Sequence, residues 1–318
     1  MQVPQSMFAA APLAAIATIV HLAVAAPARL IGQSRSSPPR AAIPRTTDGH
    51  PDLTGTWDYA TTTPMERMKK YVGKPFTDEE KQAISKAGAD RADAFVLTSG
   101  GGVGSYNHEW YGWGDPIDRP SLIVDPPDRQ FPPAAPGARA GRPPGLPAGP
   151  EDFTPGDRCI VMNVPPFRPS AYNNNVGVVL SRTYLSIQNE MIHSTRIVPL
   201  DGRPHLDIPQ WLGDSRGRWD GDTLVVDTVS FRGDQGRASG GRGKRVTERF
   251  RRVDGATIEY TATVDDPATW VAPWTMTMPL RKTELPMYEY ACHEGNYAMP
   301  NMLGIARAEE LRKQRSSR

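Results

Sequence analysis

The sequence predicts a mainly β protein, built as a closed barrel or strongly curved sheet of antiparallel strands. Three observations support this fold class. Short runs in which apolar and polar residues alternate recur from residue 176 to residue 293. Asp-Gly pairs beginning at positions 201, 220 and 254 supply tight hairpin turns, because glycine tolerates positive φ. The 32 prolines and 29 glycines indicate many turns and few long helices.

The first 50 residues are expected to lie outside the folded domain. Residues 7–26 are almost entirely apolar or small, and the Ala-Val-Ala sequence at 23–25 is typical of a signal-peptide cleavage site. This pattern predicts a secretory signal peptide over residues 1–25, with an uncleaved membrane anchor as the alternative. Residues 26–50 are rich in proline, serine and arginine and predict a disordered leader. We therefore expect a periplasmic or secreted protein without a membrane span after cleavage.

Residues 51–318 are predicted to form one domain, since a chain of this length can bury a large core. Its first strand begins at Gly55. Thr77 and Glu80 form a capping box, which predicts a helix that ends near Gly88. Residues 121–125 predict a short strand. The Pro/Gly-rich stretch of about residues 126–157 predicts a long surface loop or lid.

Regular strands are predicted after Cys159. A turn is expected at Met191 and Ile192, because residues 184–199 are long for a single strand. An amphipathic helix over residues 301–313 is expected to cap the barrel. The predicted strands are residues 176–180, 184–190, 193–199, 218–219 continuing across a turn into 223–231, 245–253, 257–265, 275–282 and 287–293.

The opening of the first strand resembles that of a known barrel family. Gly55-Thr-Trp57 is similar to the Gly-x-Trp motif of lipocalin-like (calycin) barrels, in which the tryptophan plugs the closed end. The resemblance implies a lipocalin-like barrel with a buried Trp57. We expect a cationic side chain to pack on this ring, and Arg281 is the expected partner.

Longer blocks resemble a group of exported bacterial proteins to which no reaction is assigned. The resemblance covers most of the chain from residue 51 and implies export and a shared β domain, but no particular activity. Residues 128–130 read Asp-Arg-Gln where this group leads us to expect Asp-Gly-Arg, which leaves that turn's geometry open. The blocks are PDLTGTW at 51–57, SLIVDPP at 121–127, DGRPH at 201–205, GDSRGRWDGDTLVV at 213–226 and YEYACHEGN at 288–296.

Charge and cysteine content limit the function classes. The formal net charge is +2, with no long Lys/Arg stripe, which argues against nucleic-acid binding. In an exported chain, the two cysteines, Cys159 and Cys292, predict one disulfide. The alternatives are a nucleophilic thiol beside His293 or a thiolate metal ligand.

Three ionisable residues cluster where the pattern otherwise predicts barrel wall. His193 is expected to move a proton, Glu190 to orient its ring, and Arg196 to hold a carboxylate or developing oxyanion. A regular strand would put Glu190 and His193 on opposite faces, so they can meet only if the expected turn intervenes. The alternative is a structural Glu190–Arg196 ion pair beside a solvated His193. A second catalytic candidate is the pair His293 and Glu294. The alternative is that these are exposed polar residues at the rim of the barrel, without a catalytic role.

Seven further residues are expected to contact a substrate. Aromatic rings and side-chain amides can hold a small molecule by stacking and hydrogen bonding, although they also serve plain loop packing. Asn174 is an alternative to Arg196 for stabilising negative charge. The seven are Tyr106, Asn107, Trp110, Tyr172, Asn174, His205 and Tyr297.

These patterns together predict a cofactor-free acid/base enzyme, a lyase or isomerase that acts on a small hydrophobic or aromatic compound. No paired metal-ligand motif such as H-x-H or H-E-x-x-H occurs, so no metal site is predicted. A small-molecule-binding protein without turnover is the main alternative. A hydrolase that uses a metal or Cys292 is the other. The sequence predicts no oligomeric state.

Overall fold

The computed structural model of this protein describes residues 42–98, 112–138, 147–232 and 243–316. The predicted signal peptide lies outside these ranges. Residues 42–50, predicted as leader, pack on the domain: the ring of His50 stacks on Trp219 at 4.3 Å and Arg45 pairs with Asp222 at 2.7 Å. No helix in the described ranges is long and apolar enough to cross a membrane.

Ten strands form one antiparallel sheet in the described part of the chain, so the predicted mainly β architecture is confirmed. The hydrogen-bonded order is β5-β4-β3-β1-β10-β9-β8-β7-β6, and β2 pairs with β10. The strands are β1 (Gly55–Asp58), β2 (Ile123–Asp125), β3 (Asn175–Leu180), β4 (Tyr184–Asn189), β5 (Thr195–Pro199), β6 (Asp214–Asp220), β7 (Thr223–Val229), β8 (Arg245–Arg252), β9 (Thr257–Asp265) and β10 (Trp274–Thr283).

The sheet curves until its two end strands meet, but it does not close by hydrogen bonds. A Cβ atom added at Gly217 in β6 would lie 3.1 Å from a methyl carbon of Val198 in β5, which shows how closely the ends approach. No ladder joins β5 to β6 within the described residues, so a closed barrel is not confirmed. Alternate residues of the strands fill the interior, where Val226, Phe250 and Met276 are fully buried.

Two helices flank the sheet. Helix α1 spans Asp78–Thr98 and helix α2 spans Ala298–Ser316. The predicted end of α1 at Gly88 is wrong, because this glycine gives close packing rather than a stop: a Cβ there would lie 2.6 Å from Thr62. The predicted C-terminal helix is confirmed and is longer than residues 301–313.

The turns agree with the sequence in part. A 3-10 turn at Met191–His193 confirms the break expected between β4 and β5. Gly202 and Gly221 adopt positive φ, as the first two Asp-Gly pairs predict. Arg129 has a φ of 60°, so the Asp-Arg-Gln segment makes a left-handed turn that glycine would favour.

The predicted strand at 287–293 is wrong, because this segment joins no ladder in the described sheet. Side chains replace a neighbouring strand: the backbone N–H of Tyr288 donates to Glu190 Oε1 at 3.2 Å. The N–H of Tyr290 likewise donates to His193 Nε2 at 3.2 Å. Residues 292–295 then form a turn.

The predicted loop at 126–157 is partly packed. The ring of Phe131 stacks on Trp270 at 4.9 Å, and the N–H of Ala135 donates to the carbonyl of Thr269. These contacts attach the first half of the loop to the β9–β10 connection. Its last residues, from Pro150 onward, reach the cavity described below.

Trp57 is fully buried under a cation, but the cation is not the one expected. The guanidinium of Arg252 lies 5.2 Å from the Trp57 ring centroid and donates to the backbone carbonyls of Asp52, Asp254 and Gly255. Arg281 is exposed, and its backbone pairs with Asp58 of β1 and Thr257 of β9. Arg252 therefore joins the segment before β1 to the β8–β9 turn.

We expect Arg252→Met to lower the free energy of unfolding by about 1–3 kcal/mol, because three partly buried carbonyls lose their donor. Arg281→Met is the matched control and should stay within about 0.5 kcal/mol of the wild type. Urea denaturation of the two variants measures the difference. Equal values would show that Arg252 has no special role at Trp57.

Candidate functional site

The main cavity has a volume of about 1030 Å³ and is open on one side. Its wall comes from the 3-10 turn Pro150–Asp152 and the residues after it, the loop before β3, the end of β4, residues 285–296 and the first turns of α2. Side chains from parts of the chain far apart in sequence therefore meet at one place.

Glu190 lies at the wall of this cavity and is 1% exposed. It follows β4 directly, and the tight turn after it, with Ile192 at φ 55° and His193 at φ 50°, holds it in place. Asn175 Nδ2 donates to its Oε2 at 3.0 Å, while the Tyr288 N–H donates to Oε1. Its hydrogen-bond donors are thus all neutral, and no described cation forms an ion pair with it.

Glu190 and His193 bind the same backbone segment, and no hydrogen bond between their two side chains is formed. They accept hydrogen bonds from alternate backbone N–H groups, those of Tyr288 and Tyr290, at 3.2 Å each. His193 is itself exposed, and its Nε2 must be unprotonated to accept this bond. The two residues thereby hold the segment that walls the cavity.

A disulfide between Cys159 and Cys292 fixes the other end of this segment, as the sequence predicts. Asn296 Nδ2 donates to the Cys159 sulfur at 3.1 Å. Both cysteines of the chain are in the bridge, so the alternative of a nucleophilic or metal-binding thiol is wrong. In the chain-entropy model, closing a loop of this length stabilises the fold by about 4–5 kcal/mol.

Arg196 is buried inside the sheet, and its ion-pair partner is Glu248. Its guanidinium makes a bidentate ion pair with Glu248 of β8 at 2.6 and 2.9 Å, and both side chains are at most 2% exposed. The Tyr260 hydroxyl donates to the same carboxylate at 2.8 Å, and burial raises the pKa of this phenol well above its usual value. The Glu190–Arg196 ion pair, the structural alternative raised from the sequence, is therefore not formed.

A second cavity, of about 700 Å³, lies at the seam between β5 and β6. His193, Arg196, Trp211 and Arg232 contribute to its lining. The three residues predicted as one catalytic group are thus divided, with Glu190 at the main cavity and the other two at the seam.

His205 lies at neither of these cavities. Its Nδ1 is 2.9 Å from Asp214 Oδ2, and its Nε2 is 3.5 Å from Asp227 Oδ2. These aspartates belong to β6 and β7, and Arg216 also donates to the Pro204 carbonyl at 2.9 Å. His205 therefore attaches the loop before β6 to the outer face of the sheet.

The other predicted residues fall into three groups. Tyr172 and Glu294 line the main cavity. Asn174 braces its own loop instead, since its Nδ2 donates to the carbonyls of Gly112 and Ser170. His293 and Tyr297 are exposed and line neither cavity. Tyr106, Asn107 and Trp110 lie outside the described residues.

Sequence reasoning missed several residues of the main cavity. Asn173 and Asn175, the neighbours of Asn174, line the cavity in its place. Asp152 and Asp157 come from the end of the predicted loop, and their acidic, turn-forming character was the available signal. The others missed include Met162, Tyr288, Glu289, Tyr290, Met299 and Met302.

The fold and the cavity define the class: a mainly β protein with a ligand-sized pocket walled by its C-terminal segment. Comparison of the sequence with protein-family models and with curated proteins finds no match. The function has to be inferred from the geometry of the site.

We expect Glu248→Gln to cost about 3–5 kcal/mol, because it leaves the Arg196 guanidinium buried without a counter-charge. The triple variant Arg196→Met/Glu248→Leu/Tyr260→Phe removes both charges and the phenol hydroxyl. It leaves only the neutral Phe167 amide without its acceptor, so it should be less destabilised than Glu248→Gln alone. Urea denaturation measures both. A loss below about 1 kcal/mol in Glu248→Gln would contradict a structural role for the pair.

We also expect an acid-sensitive outer face. Burial alone would raise the pKa values of Asp214 and Asp227. For Asp214, hydrogen bonds from the Leu206 amide, His205 and Arg216 outweigh burial and lower the pKa. For Asp227, the hydrogen bond from Arg245 outweighs burial and lowers the pKa. The stabilisation is therefore fully present above the ordinary aspartate pKa of about 4 and is lost as the pH falls through the lower, folded values.

The measurement is the free energy of unfolding from about pH 6 to about pH 2. It should fall more steeply in the wild type than in Asp214→Asn/Asp227→Asn. Asp118→Asn, at a side chain that is 82% exposed, is the control and should follow the wild-type slope. Parallel slopes in all three proteins would contradict the assignment.

Proposed function

We propose that this protein binds a small, partly apolar molecule in the main cavity and works outside the cytoplasm. The observation that carries the proposal is a buried carboxylate, Glu190, at the wall of a cavity of about 1030 Å³. Small-molecule sites typically measure about 300–1,000 Å³ and combine apolar walls with a few polar groups. The apolar part of this wall includes Phe153, Met162 and Met299.

The surroundings of the Glu190 carboxylate favour a ligand that donates a hydrogen bond to it. A buried carboxylate is costly unless it is hydrogen-bonded and compensated. The described residues supply Glu190 with neutral donors from Asn175 and Tyr288, but with no ion-pair partner. A ligand with a polar donor would complete this environment, and its apolar part would contact the methionines and aromatic rings.

Export is also part of the proposal. The Cys159–Cys292 bridge supports an oxidising compartment, where disulfides persist. The signal peptide predicted over residues 1–25 is consistent with the same compartment. We further propose the lipocalin-like barrel architecture, supported by the close approach of β5 and β6 and by the buried Trp57.

Acid/base catalysis of the lyase or isomerase type is the second candidate. Glu190 favours it, because a desolvated carboxylate beside a ligand can act as a general base. It would take a proton from a carbon of the bound compound and return it to a neighbouring atom, so the reaction needs no oxidant. Asn173, which also lines the cavity, would donate a hydrogen bond to the developing negative charge. His193 is engaged by the Tyr290 amide and would not be the base.

The test is capture of metabolites by the purified protein, followed by mass spectrometry. Wild-type protein and Glu259→Gln, a control on the outer face of β9, should retain the same compound. Glu190→Gln should retain it at least about tenfold less, because a hydrogen bond to a charged group contributes about 1.5–3 kcal/mol. Thermal denaturation checks that all three proteins are folded.

The same samples separate binding from turnover. Conversion of the captured compound over time, lost in Glu190→Gln, would favour the enzyme. Retention without conversion would favour a binding protein. Equal retention by wild type and Glu190→Gln, or no retained compound, would overturn the assignment of this cavity.

A further inference from the structure

We propose that the ligand of the main cavity is an organic cation, an amine or quaternary ammonium compound with an apolar or aromatic body. This inference rests on the proposed function and names the chemical class of its ligand. It follows from the charge of the cavity wall, the state of Glu190 and the apolar side chains that lie among the carboxylates.

The wall of the cavity is acidic. Five of its described residues carry carboxyl groups, and none of the described lining residues is lysine, arginine or histidine. The chain as a whole has a formal net charge of +2, so the acidity is a local property of this cavity. The five are Asp152, Asp157, Glu190, Glu289 and Glu294.

None of these five carboxylates is neutralised by an ion pair with another described residue. Asp152 accepts from the amides of Ala148 and Gly149, and Asp157 from the amide and hydroxyl of Thr154. All of those donors are neutral. Like charges around one cavity add to each other's potential, so the wall attracts a positive charge and repels an anion.

Glu190 supplies the second, independent reason. It is the one of the five that is almost completely buried, at 1% exposed, so solvent does not screen it. Elsewhere in the fold, the buried Glu248 is matched by the Arg196 guanidinium at 2.6 Å. No described residue provides Glu190 with such a cation. The cavity lies beside Glu190, so a bound ligand could provide it.

The apolar side chains indicate an organic cation. Phe153, Tyr288 and Tyr290 bring aromatic rings to the wall, and Met299 and Met302 bring flexible thioethers. Aromatic faces attract ammonium groups through the ring quadrupole, with a gain of about 0.5–2 kcal/mol each. Methionines adapt to apolar groups of different shapes. A charged head at the carboxylates with an apolar tail on these side chains satisfies both parts of the wall.

The seam cavity provides a contrast within the same molecule. Its lining includes Arg196, Arg232 and His193 together with the single carboxylate of Asp214. The preference for cations is therefore assigned to the main cavity alone.

The experiment uses three compounds that share a phenyl ring on a four-carbon chain and differ in the charge at the other end of the chain. They are 4-phenylbutylammonium, 4-phenylbutan-1-ol and 4-phenylbutanoate. Calorimetric titration of the full protein near neutral pH and low salt gives their dissociation constants. We expect the ammonium compound to bind at least about tenfold more tightly than the alcohol, and the carboxylate most weakly. Added salt should weaken the binding of the ammonium compound and leave that of the alcohol unchanged.

Variants assign the effect to the cavity. Glu289→Gln/Glu294→Gln removes two exposed carboxylates of the wall without disturbing buried groups, so it should reduce the ammonium-to-alcohol preference at least about threefold. Glu284→Gln/Glu309→Gln removes two carboxylates that do not line it and should keep the wild-type preference.

Equal or tighter binding of the alcohol or the carboxylate would overturn the organic cation and leave the small-molecule cavity standing. Binding of none of the three compounds would also overturn it. The proposed function itself would be overturned by the metabolite capture instead, if no compound is retained or if wild type and Glu190→Gln retain it equally. Calcium that displaces the ammonium compound at micromolar concentration would assign the carboxylates to a metal ion and contradict the inference.

Discussion

The arrangement of this fold depends on the buried ion pair between Arg196 and Glu248. The pair joins β5 to β8 through the interior, and β5 is an end strand with no hydrogen-bonded ladder to the other end, β6, in the described sheet. Backbone hydrogen bonds therefore do not hold the curved sheet together at this seam. Apolar contact and the bidentate pair do so, with Tyr260 tying the same carboxylate to the loop at Phe167.

Two buried glutamates, Glu248 and Glu190, differ in whether a cation compensates their charge. Glu248 faces an arginine, accepts a phenol hydrogen bond and is surrounded by the core, so its charge is balanced within the fold. Glu190 lies at the wall of a large cavity and has only neutral donors among the described residues. The same chemical group has a cationic partner in the first environment and lines a cavity in the second. This difference in compensation, rather than burial alone, identifies the candidate site.

The cavity wall is itself held by side chains. The segment before α2 joins no strand of the described sheet, and it is fixed by acceptors from Glu190 and His193 and by the Cys159–Cys292 bridge. Glu190 thus anchors the wall through one oxygen and is itself part of the cavity lining.

The sequence by itself determined the local features of this protein. Alternation and Asp-Gly turns predicted the strands, the length of residues 184–199 predicted the break at Met191, and two cysteines in a chain expected to be exported allowed one bridge. These features depend on neighbours in sequence or on a pairing with a single solution. The burial of Trp57 was predictable for a similar reason, because its motif specifies a position at the start of the first strand.

Only the tertiary structure decided which charges meet. Arg196 forms an ion pair with Glu248, which is 52 positions away in the sequence, and Arg252 rather than Arg281 packs on Trp57. The 287–293 segment forms hydrogen bonds with side chains rather than with a neighbouring strand. Sequence spacing constrains which face of a strand a residue occupies, but not which distant residue lies opposite it. The candidate site depends on such non-local partners, and Glu190 was distinguishable from Glu248 only after the sheet had brought an arginine to one and a cavity to the other.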